Sequence, residues 1–215
     1  MNIFEAILTR KVALKFEKKE IDDKLIGLIL HAATYAPSAG KLEEWRFIVV
    51  KDEKLKEKLS ELAYNERLIK DAALNIVACA DFEAAEAKYK EKGINYALQD
   101  ISFASMIILL SAKALGLGSA LIRNFKVEEV AQLLDLPDSI KPALIIPLGY
   151  VVEEKEIERL PYENLTYLNQ YGRKYEIEFK PILKYLKDFF EKRKGEKEKR
   201  KLKLDFMAFL KKLAR

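Results

Sequence analysis

The sequence contains very little cysteine or histidine: Cys79 and His31 are the only ones among its 215 residues. A single cysteine excludes a disulfide framework within the chain and favours a reducing compartment. A zinc site or a Ser–His–Asp triad would have to be built around His31 alone, which lies in an apolar helical pattern. Cys79 lies in the apolar run NIVACA, and we interpret it as a small core residue; a reactive thiol is the alternative.

The sequence is also poor in residues that interrupt regular structure, with six prolines and eight glycines. This composition excludes collagen-like and linker-dominated architectures. Half of the residues are apolar and 34% are charged, so the chain can bury a core. Its length fits one large domain, or a compact domain with an extension.

The sequence shows neither a secretory signal nor a good membrane span. The N-terminal stretch MNIFEAILTRK is too short and too charged for a signal. The most apolar run, residues 101–122, contains several serines and glycines, and we predict a buried helix followed by a turn and a strand. We therefore expect a cytoplasmic protein.

Positive charge is concentrated towards the C-terminus. Residues 180–215 contain 14 Lys and Arg against 5 Asp and Glu, whereas residues 1–179 contain 25 against 29. The net charge of +5 thus comes from the tail, which excludes nucleic-acid binding over the whole protein. Apolar residues recur at helical spacing on both sides of a charged stretch, residues 191–203. We interpret this tail as two docked helices; the alternative is a basic amphipathic arm for an anionic membrane or nucleic acid.

Apolar periodicity predicts helices and strands in an irregular order. The predicted helices cover residues 3–8, a segment from about residue 21 to before Pro37, and residues 52–62, 95–115 and 127–134. The predicted strands cover residues 45–50, 75–80, 119–122 and 143–148. The regular βαβ spacing of a doubly wound fold and its glycine-rich phosphate motifs are absent. We predict an α+β fold, with one domain over residues 1–175 and a basic helical extension over residues 176–215.

Three separated clusters could together bind a flat, anionic ligand. The first holds Arg10, Lys11 and Lys15; the second is the Pro-Ser-Ala-Gly loop at residues 37–40; the third is Arg159. A guanidinium suits phosphate because its fork binds two oxygens at once. Each cluster alone is more typical of solvated surface charge or an ordinary turn, so only their combination favours a site.

The chain resembles the FMN-dependent nitroreductase family over about residues 3–171. The resemblance depends on the order and spacing of several short motifs rather than on any one of them. These motifs are RKVALKF (residues 10–16), APSAG (36–40) followed by Trp45, NER (65–67), ALGLGS (114–119), PLGY (147–150) and RLP (159–161).

The resemblance implies a nitroreductase-like mixed sheet flanked by helices, and a long central helix that forms a homodimer with FMN in a cleft between subunits. It implies an oxidoreductase that transfers two electrons by a ping-pong route from NAD(P)H through FMN to a nitroaromatic, quinone or similar small acceptor. Neither a metal nor a catalytic side chain is expected, because the flavin supplies the chemistry.

The resemblance also assigns roles to individual residues. Arg10 and Arg159 would hold the FMN phosphate, and Asn65 would hydrogen-bond the pyrimidine side of the flavin. Residues 37–39 would line the ring edge, and residues 121–124 would run along the other face, with a backbone N–H near Arg123 directed at N5. The candidate cofactor-binding residues are Arg10, Lys11, Val12, Leu14, Pro37, Ser38, Ala39, Lys41, Asn65, Leu121, Ile122, Arg123, Asn124 and Arg159.

The chain departs from the family pattern at several expected contacts. It has an apolar residue at four positions where the family commonly has a serine or a cation: Val12, Leu14, Leu68 and Leu160. Lys41 stands in place of an asparagine. We hypothesise that Lys11, Lys15 and Lys41 replace the missing contacts. The alternative is a nitroreductase-fold protein with a weakened or lost FMN site that acts as a binding or scaffold module; flavin-fragmenting or dehalogenating relatives usually need a lid, and none is evident.

Overall fold

The computed structural model describes residues 3–175 of the chain. Contacts divide the chain into two units, Met1–Glu158 and Arg159–Arg215. The first unit contains all the helices and strands defined below. The predicted boundary at residue 175 and the predicted helical extension lie at or outside the described residues and stay predictions.

The described residues form seven α-helices and six β-strands. The helices are α1 (Ile3–Thr9), α2 (Asp23–Ala33), α3 (Glu53–Leu62), α4 (Arg67–Asp71), α5 (Phe82–Tyr89), α6 (Gly93–Ala114) and α7 (Val127–Leu133). The strands are β1 (Val12–Phe16), β2 (Trp45–Val50), β3 (Leu74–Asp81), β4 (Gly118–Ser119), β5 (Ile140–Gly149) and β6 (Val151–Lys155).

The strands form a four-stranded sheet of order β2-β3-β5-β4 and a separate β1-β6 pair. Every strand pair among the described residues is antiparallel, so the parallel pairing that a mixed sheet requires is not found in residues 3–175. Helices α2 and α6 cover one face of the larger sheet through Ile76 of β3, and α3, α4 and α7 cover the other through Val77. Because both faces are covered, residues 76–80 of β3 form a continuous apolar run rather than an alternating pattern.

The α+β fold class is confirmed, as are all five predicted helices and three of the four predicted strands. The fourth, at residues 119–122, is shorter: β4 ends at Ser119, and Ile122 forms only a single bridge to Ile145. The sequence patterns missed β1, β6, α4 and α5. Strands β1 and β6 stabilise each other across about 140 residues of sequence, and α4 has only five residues, too few for a period to show.

Helix α6 belongs to the core of the domain. The segment 82–114, which contains it, is long and apolar enough to cross a membrane by length and composition. In the folded chain, however, α6 packs on the sheet and on α2 through Ile101, Ala104 and Ile108, and it buries the charged residue Asp100. It ends where Gly116 takes a positive φ of 80° and Leu117 N–H donates to the Ala112 carbonyl at 2.9 Å. The predicted buried helix and its glycine C-cap are confirmed.

Two glycines should respond oppositely to the same substitution. A Cβ on Gly93, at the start of α6, would lie 2.5 Å from backbone atoms of Ala85 and Glu86 in α5, which cannot move aside as a side chain can. We expect Gly93→Ala to lower the free energy of unfolding by about 1–3 kcal/mol. Gly27 in α2 has nothing within 4 Å of its Cβ position, so Gly27→Ala should raise it by about 0.5–1 kcal/mol. Urea titration of both variants measures this; equal shifts would contradict the tight α5–α6 contact.

Candidate functional site

Arg10 and Lys11 lie in the short connection between α1 and β1. The N–H of Arg10 donates to the Ala6 carbonyl at 3.1 Å, and its Nη1 lies 3.5 Å from the carbonyl oxygen of Lys11. Lys11 Nζ lies 3.8 Å from Oε1 of Glu154 in β6, and Lys113 Nζ lies 3.7 Å from Oε2 of the same carboxylate. Glu154 is therefore shared by two lysines, and positive charge exceeds negative charge within this group.

Sequence reasoning missed Lys113. It lies about 100 residues from Lys11, and only the antiparallel pairing of β1 with β6 brings Glu154 between the two. The predicted site residue Val12 is half-buried in β1, whereas Leu14 is 44% exposed. Lys15 lines a cleft of about 500 Å³ together with Lys56 and Lys70, and neither Arg10 nor Lys11 lines this cleft. That position gives no support to Lys15 as a replacement for a phosphate contact beside Arg10.

The second predicted cluster is a tightly constrained loop, residues 37–41, which we call the 37–41 loop. It follows α2 and ends in a 3-10 turn, Ala39–Lys41. Gly40, Lys41 and, just beyond, Glu43 have positive φ angles of 54°, 56° and 52°. Left-handed conformations at non-glycine residues are uncommon and tend to cluster at functional sites.

Two side chains from neighbouring helices hold the 37–41 loop. Asp100 of α6 accepts a hydrogen bond from the Ala39 N–H at 2.6 Å, and Lys88 of α5 donates to the Gly40 carbonyl at 2.7 Å. Within the loop region, the Ser38 hydroxyl accepts from the N–H of Glu43 at 3.3 Å. The loop is thus presented in one conformation by α5 and α6, with Pro37 exposed and Ser38 and Ala39 half-buried.

A buried pair of carboxyl groups lies beneath this loop. Glu44, just before β2, is 3% exposed and Asp100 is 4% exposed. Burial raises the pKa of Glu44 above its usual 4.5, and a backbone hydrogen bond offsets part of this rise. The charge of Asp100 and a hydrogen bond with it raise the pKa as well. Neither residue was identified as a site residue from sequence, because nothing in the local pattern places a carboxylate of α6 against the start of β2.

Asn65 lies in the turn between α3 and α4. Both Tyr64 and Asn65 have positive φ, 58° and 62°, and the N–H of Asn65 donates to the Ser60 carbonyl at 2.9 Å. Asparagine is among the residues that tolerate this conformation best, and its side chain is exposed. Leu68, by contrast, packs against a small core cluster that includes Ala72. This packing gives Leu68 a structural role at a position where the family often has lysine.

Residues 121–124 leave the edge of the sheet with free backbone donors. Ile122 exchanges two hydrogen bonds with Ile145, at 2.9 and 3.0 Å. Arg123 and Asn124 are exposed, and within the described part of the chain their backbone N–H groups donate to no protein acceptor. Leu121 is half-buried against the α2–α6 side of the core. This segment therefore offers N–H donors next to an apolar surface.

Arg159 begins the second unit and is exposed, and Leu160 beside it is 69% exposed. The pairing of Arg159 with Arg10 on one phosphate stays a prediction. Lys41 is exposed at the end of the 37–41 loop.

Cys79 is fully buried in β3, which confirms the core interpretation. Burial raises the pKa of its thiol to about 12. We expect no reaction with a thiol reagent at pH 8 in the native protein and complete reaction after denaturation, because only the thiolate is nucleophilic. A thiol titration before and after adding guanidinium checks this, and rapid labelling of the native protein would contradict the packing.

Among the described residues, no group of three or more His, Cys, Asp or Glu side chains is arranged to hold a metal ion. His31 is half-buried and packs edge-to-face on Tyr35, with ring centroids 5.3 Å apart.

Comparison with known proteins gives one consistent family. The sequence profile of the Nitroreductase family matches residues 7–81 and 62–150. A protein of Methanothermobacter thermautotrophicus, whose name pairs NADH dehydrogenase with NAD(P)H nitroreductase, is 36% identical over 157 residues, covering 71% of this chain and 79% of its own. An NADH dehydrogenase of Thermus thermophilus is 30% identical over 191 residues, covering 75% and 93%. The structure of NADPH:FMN oxidoreductase of Vibrio harveyi complexed with NAD+ superimposes with a TM-score of 0.74 at 25% identity, covering 80% of this chain and 79% of that one.

Proposed function

Because the chain belongs to the nitroreductase family, we propose that it is an FMN-dependent oxidoreductase that uses NAD(P)H to reduce a nitroaromatic, a quinone or a similar small acceptor. The profile match carries the family membership. The observation that carries the proposal is the presence of three elements in the first unit: a cationic group around Arg10, a constrained 37–41 loop, and unpaired N–H donors at Arg123 and Asn124.

The donor chemistry of these residues fits FMN. The phosphate needs cations. Arg10 and the adjacent Lys11 supply two of them, and Lys113 reaches the same carboxylate as Lys11, Glu154. The flavin ring needs an apolar surface with a few polar groups, as the 37–41 loop and Leu121 supply. Asn65 presents an exposed amide that can both donate to and accept from the pyrimidine edge.

When bound, FMN would accept two electrons from NAD(P)H and pass them to the acceptor in a separate, ping-pong step. The chain's own residues bind and orient. Backbone N–H donors at residues 123 and 124 would stabilise negative charge that develops near N5 on reduction. The guanidinium of Arg10 would fix the phosphate end, and the 37–41 loop would set the ring position.

We further propose a homodimer in the cytoplasm. The exposed side of α6 carries large apolar side chains that a monomer would leave in water, and α1 carries more. On α6 these are Ile94, Leu98, Phe103 and Met106. A second copy of the chain covering them would also form the subunit cleft in which the family resemblance places FMN. The contacts predicted for the basic tail fall on residues that the structure does not describe.

Steady-state kinetics test the proposed reaction. With FMN-loaded protein, initial rates measured over a grid of NADH or NADPH and quinone concentrations should give parallel double-reciprocal lines, the pattern of a ping-pong route. Intersecting lines would contradict it. Repeating the grid with a nitroaromatic and with each nicotinamide separately identifies the preferred donor and acceptor class.

One observation favours the second candidate function, a binding or scaffold protein of this fold. Leu14 and Leu160 are exposed at positions where the family commonly has cations, 44% and 69% respectively. If flavin does not bind the purified chain, this second function becomes the leading one.

A further inference from the structure

We propose that Glu44 is a positioning residue for flavin binding: it shares one proton with Asp100, and the protonated pair holds the 37–41 loop in its ring-lining conformation. The inference rests on the proposed function in assigning that loop to the flavin. It depends otherwise on the geometry of Glu44, Asp100 and Ala39 in the folded chain.

The two carboxyl groups cannot both ionise where they lie. Both side chains are more than nine-tenths buried, and the backbone of Glu44 is fixed because its carbonyl accepts from the N–H of Asp81 at 2.9 Å. Two adjacent carboxylates removed from water repel strongly, so such a pair keeps one proton well above the usual pH of carboxyl ionisation. The pKa of Glu44 is raised accordingly.

Glu44 is the member of the pair that carries the proton. Its Oε2 atom is buried and has no hydrogen-bond partner among the described residues, an arrangement that is costly for an ionised carboxylate. A neutral Glu44 carboxyl can instead donate its O–H to the Asp100 carboxylate. Asp100 Oδ2 also accepts the Ala39 N–H, at 2.6 Å. One ionised carboxylate thus receives donors from both sides, and such chains of hydrogen bonds strengthen one another.

Other charged side chains lie on β2, on α5 and in the loop region around Glu44. Arg46 in β2 lowers the pKa of Glu44, and its effect is the smallest of those that act on this carboxyl. A backbone hydrogen bond of Glu44 lowers the pKa more, but burial outweighs both and the net direction is upward. Its guanidinium is half-exposed and lies 3.7 Å from Asp81 in β3. On α5, Lys88 is engaged with the Gly40 carbonyl, and in the loop region Lys41 and Glu43 are exposed. None of these groups gives Glu44 a buried cationic partner.

Loss of the shared proton should therefore release the loop. When Glu44 ionises, it loses the O–H group that donates to Asp100. Two buried carboxylates then repel each other, and the repulsion is relieved when either side chain moves. Because Asp100 is the acceptor for Ala39, movement of this side chain breaks the tether. Flavin binding then weakens as the pH rises, although Glu44 itself touches no flavin.

The test compares the wild-type chain with Glu44→Gln, whose amide can donate to Asp100 at every pH but cannot ionise. The first readout needs no flavin: the protection of the Ala39 amide against hydrogen exchange in the apo protein, from pH 5 to 9. In the wild type, protection should fall above a single midpoint that lies above pH 4.5, the ordinary value for Glu44. In Glu44→Gln that midpoint should be absent. The same midpoint in both proteins would overturn the proposal.

The second readout is FMN affinity over the same pH range, expressed as the ratio of wild type to Glu44→Gln so that titration of FMN itself cancels. Above the midpoint this ratio should fall by up to about tenfold per pH unit, the limit for one linked proton. A flat ratio in a protein that binds FMN would overturn the link between Glu44 and the flavin. If no FMN binds at any pH, the proposed function fails, while the Ala39 midpoint still decides the proton sharing.

Thermal unfolding supplies a check on the sign. A carboxyl whose pKa is raised by folding stabilises the protein fully below pH 4.5, and this contribution is lost as pH rises through the raised pKa. The Tm of Glu44→Gln relative to wild type should therefore increase with pH across that window. Glu43→Gln, which changes the exposed neighbour, is the matched control and should follow the wild type. A control that behaves like Glu44→Gln would contradict the assignment to the buried pair.

Discussion

Replacing Arg10 by glutamine is expected to weaken FMN binding by roughly 10- to 150-fold, since a hydrogen bond to a charged group contributes about 1.5–3 kcal/mol. Arg10 lies at the entry of β1, where Lys11 and Lys113 are both drawn towards Glu154. Its planar fork can bind two phosphate oxygens together, which neither lysine can do. The Kd of FMN, measured by quenching of flavin fluorescence on titration with protein, tests this.

Two variants control for the loss of charge alone. Arg173→Gln makes the same chemical change at an exposed position in the second unit and should leave the Kd unchanged. Lys11→Gln should weaken binding less than Arg10→Gln, because Glu154 already offsets part of the Lys11 charge at 3.8 Å. If Arg10→Gln binds FMN as the wild type does, the phosphate does not lie at this cluster.

Substituting Gly40 by alanine is expected to lower both stability and flavin affinity. Its φ of 54° is left-handed, a conformation that destabilises a residue with a Cβ by about 1–2 kcal/mol. The new Cβ would also lie 2.7 Å from Lys88 Nζ and would clash with the hydroxyl oxygen of Tyr89. Both are ends of flexible side chains, so they can move, but Lys88 would then lose its hydrogen bond to the loop. We expect FMN affinity to fall about tenfold, the equivalent of one such charged hydrogen bond.

Gly116→Ala separates the two effects. Gly116 also has a left-handed φ, 80°, but no atom lies within 4 Å of its Cβ position. Urea titration should show a similar loss of stability for both variants, whereas only Gly40→Ala should raise the Kd for FMN. Equal Kd changes in the two variants would show that general destabilisation, and not the 37–41 loop, controls flavin binding.

Local signals in the sequence predicted most of the secondary structure. Helix α2 begins where Asp22 caps it and ends before Pro37. Helix α6 ends at Ala114, just before Gly116, because glycine takes a left-handed turn without strain. Strand β3 could be recognised from its unbroken apolar run, since both of its faces are covered. Short-range patterns of this kind depend on the residue and its near neighbours, which a sequence shows directly.

The features that the sequence did not predict depend on contacts between distant residues. Strand β1 exists because β6 pairs with it, and the VALKF segment alone has no clear alternation. Lys113 joins Lys11 only through Glu154, and Asp100 meets Ala39 only because α6 passes beneath the 37–41 loop. The sequence therefore predicts a candidate site from its family motifs, but it does not reveal the side chains that hold those motifs in place.

The central claim is that this chain binds FMN, and its visible absorption spectrum tests that claim most directly. Purified protein is mixed with excess FMN, the unbound flavin is removed, and the spectrum is recorded before and after adding NADH or NADPH without oxygen. We expect a flavin band to stay with the protein, at about one FMN per chain, and to bleach with one of the two donors. A folded protein that remains colourless after this treatment would contradict the account.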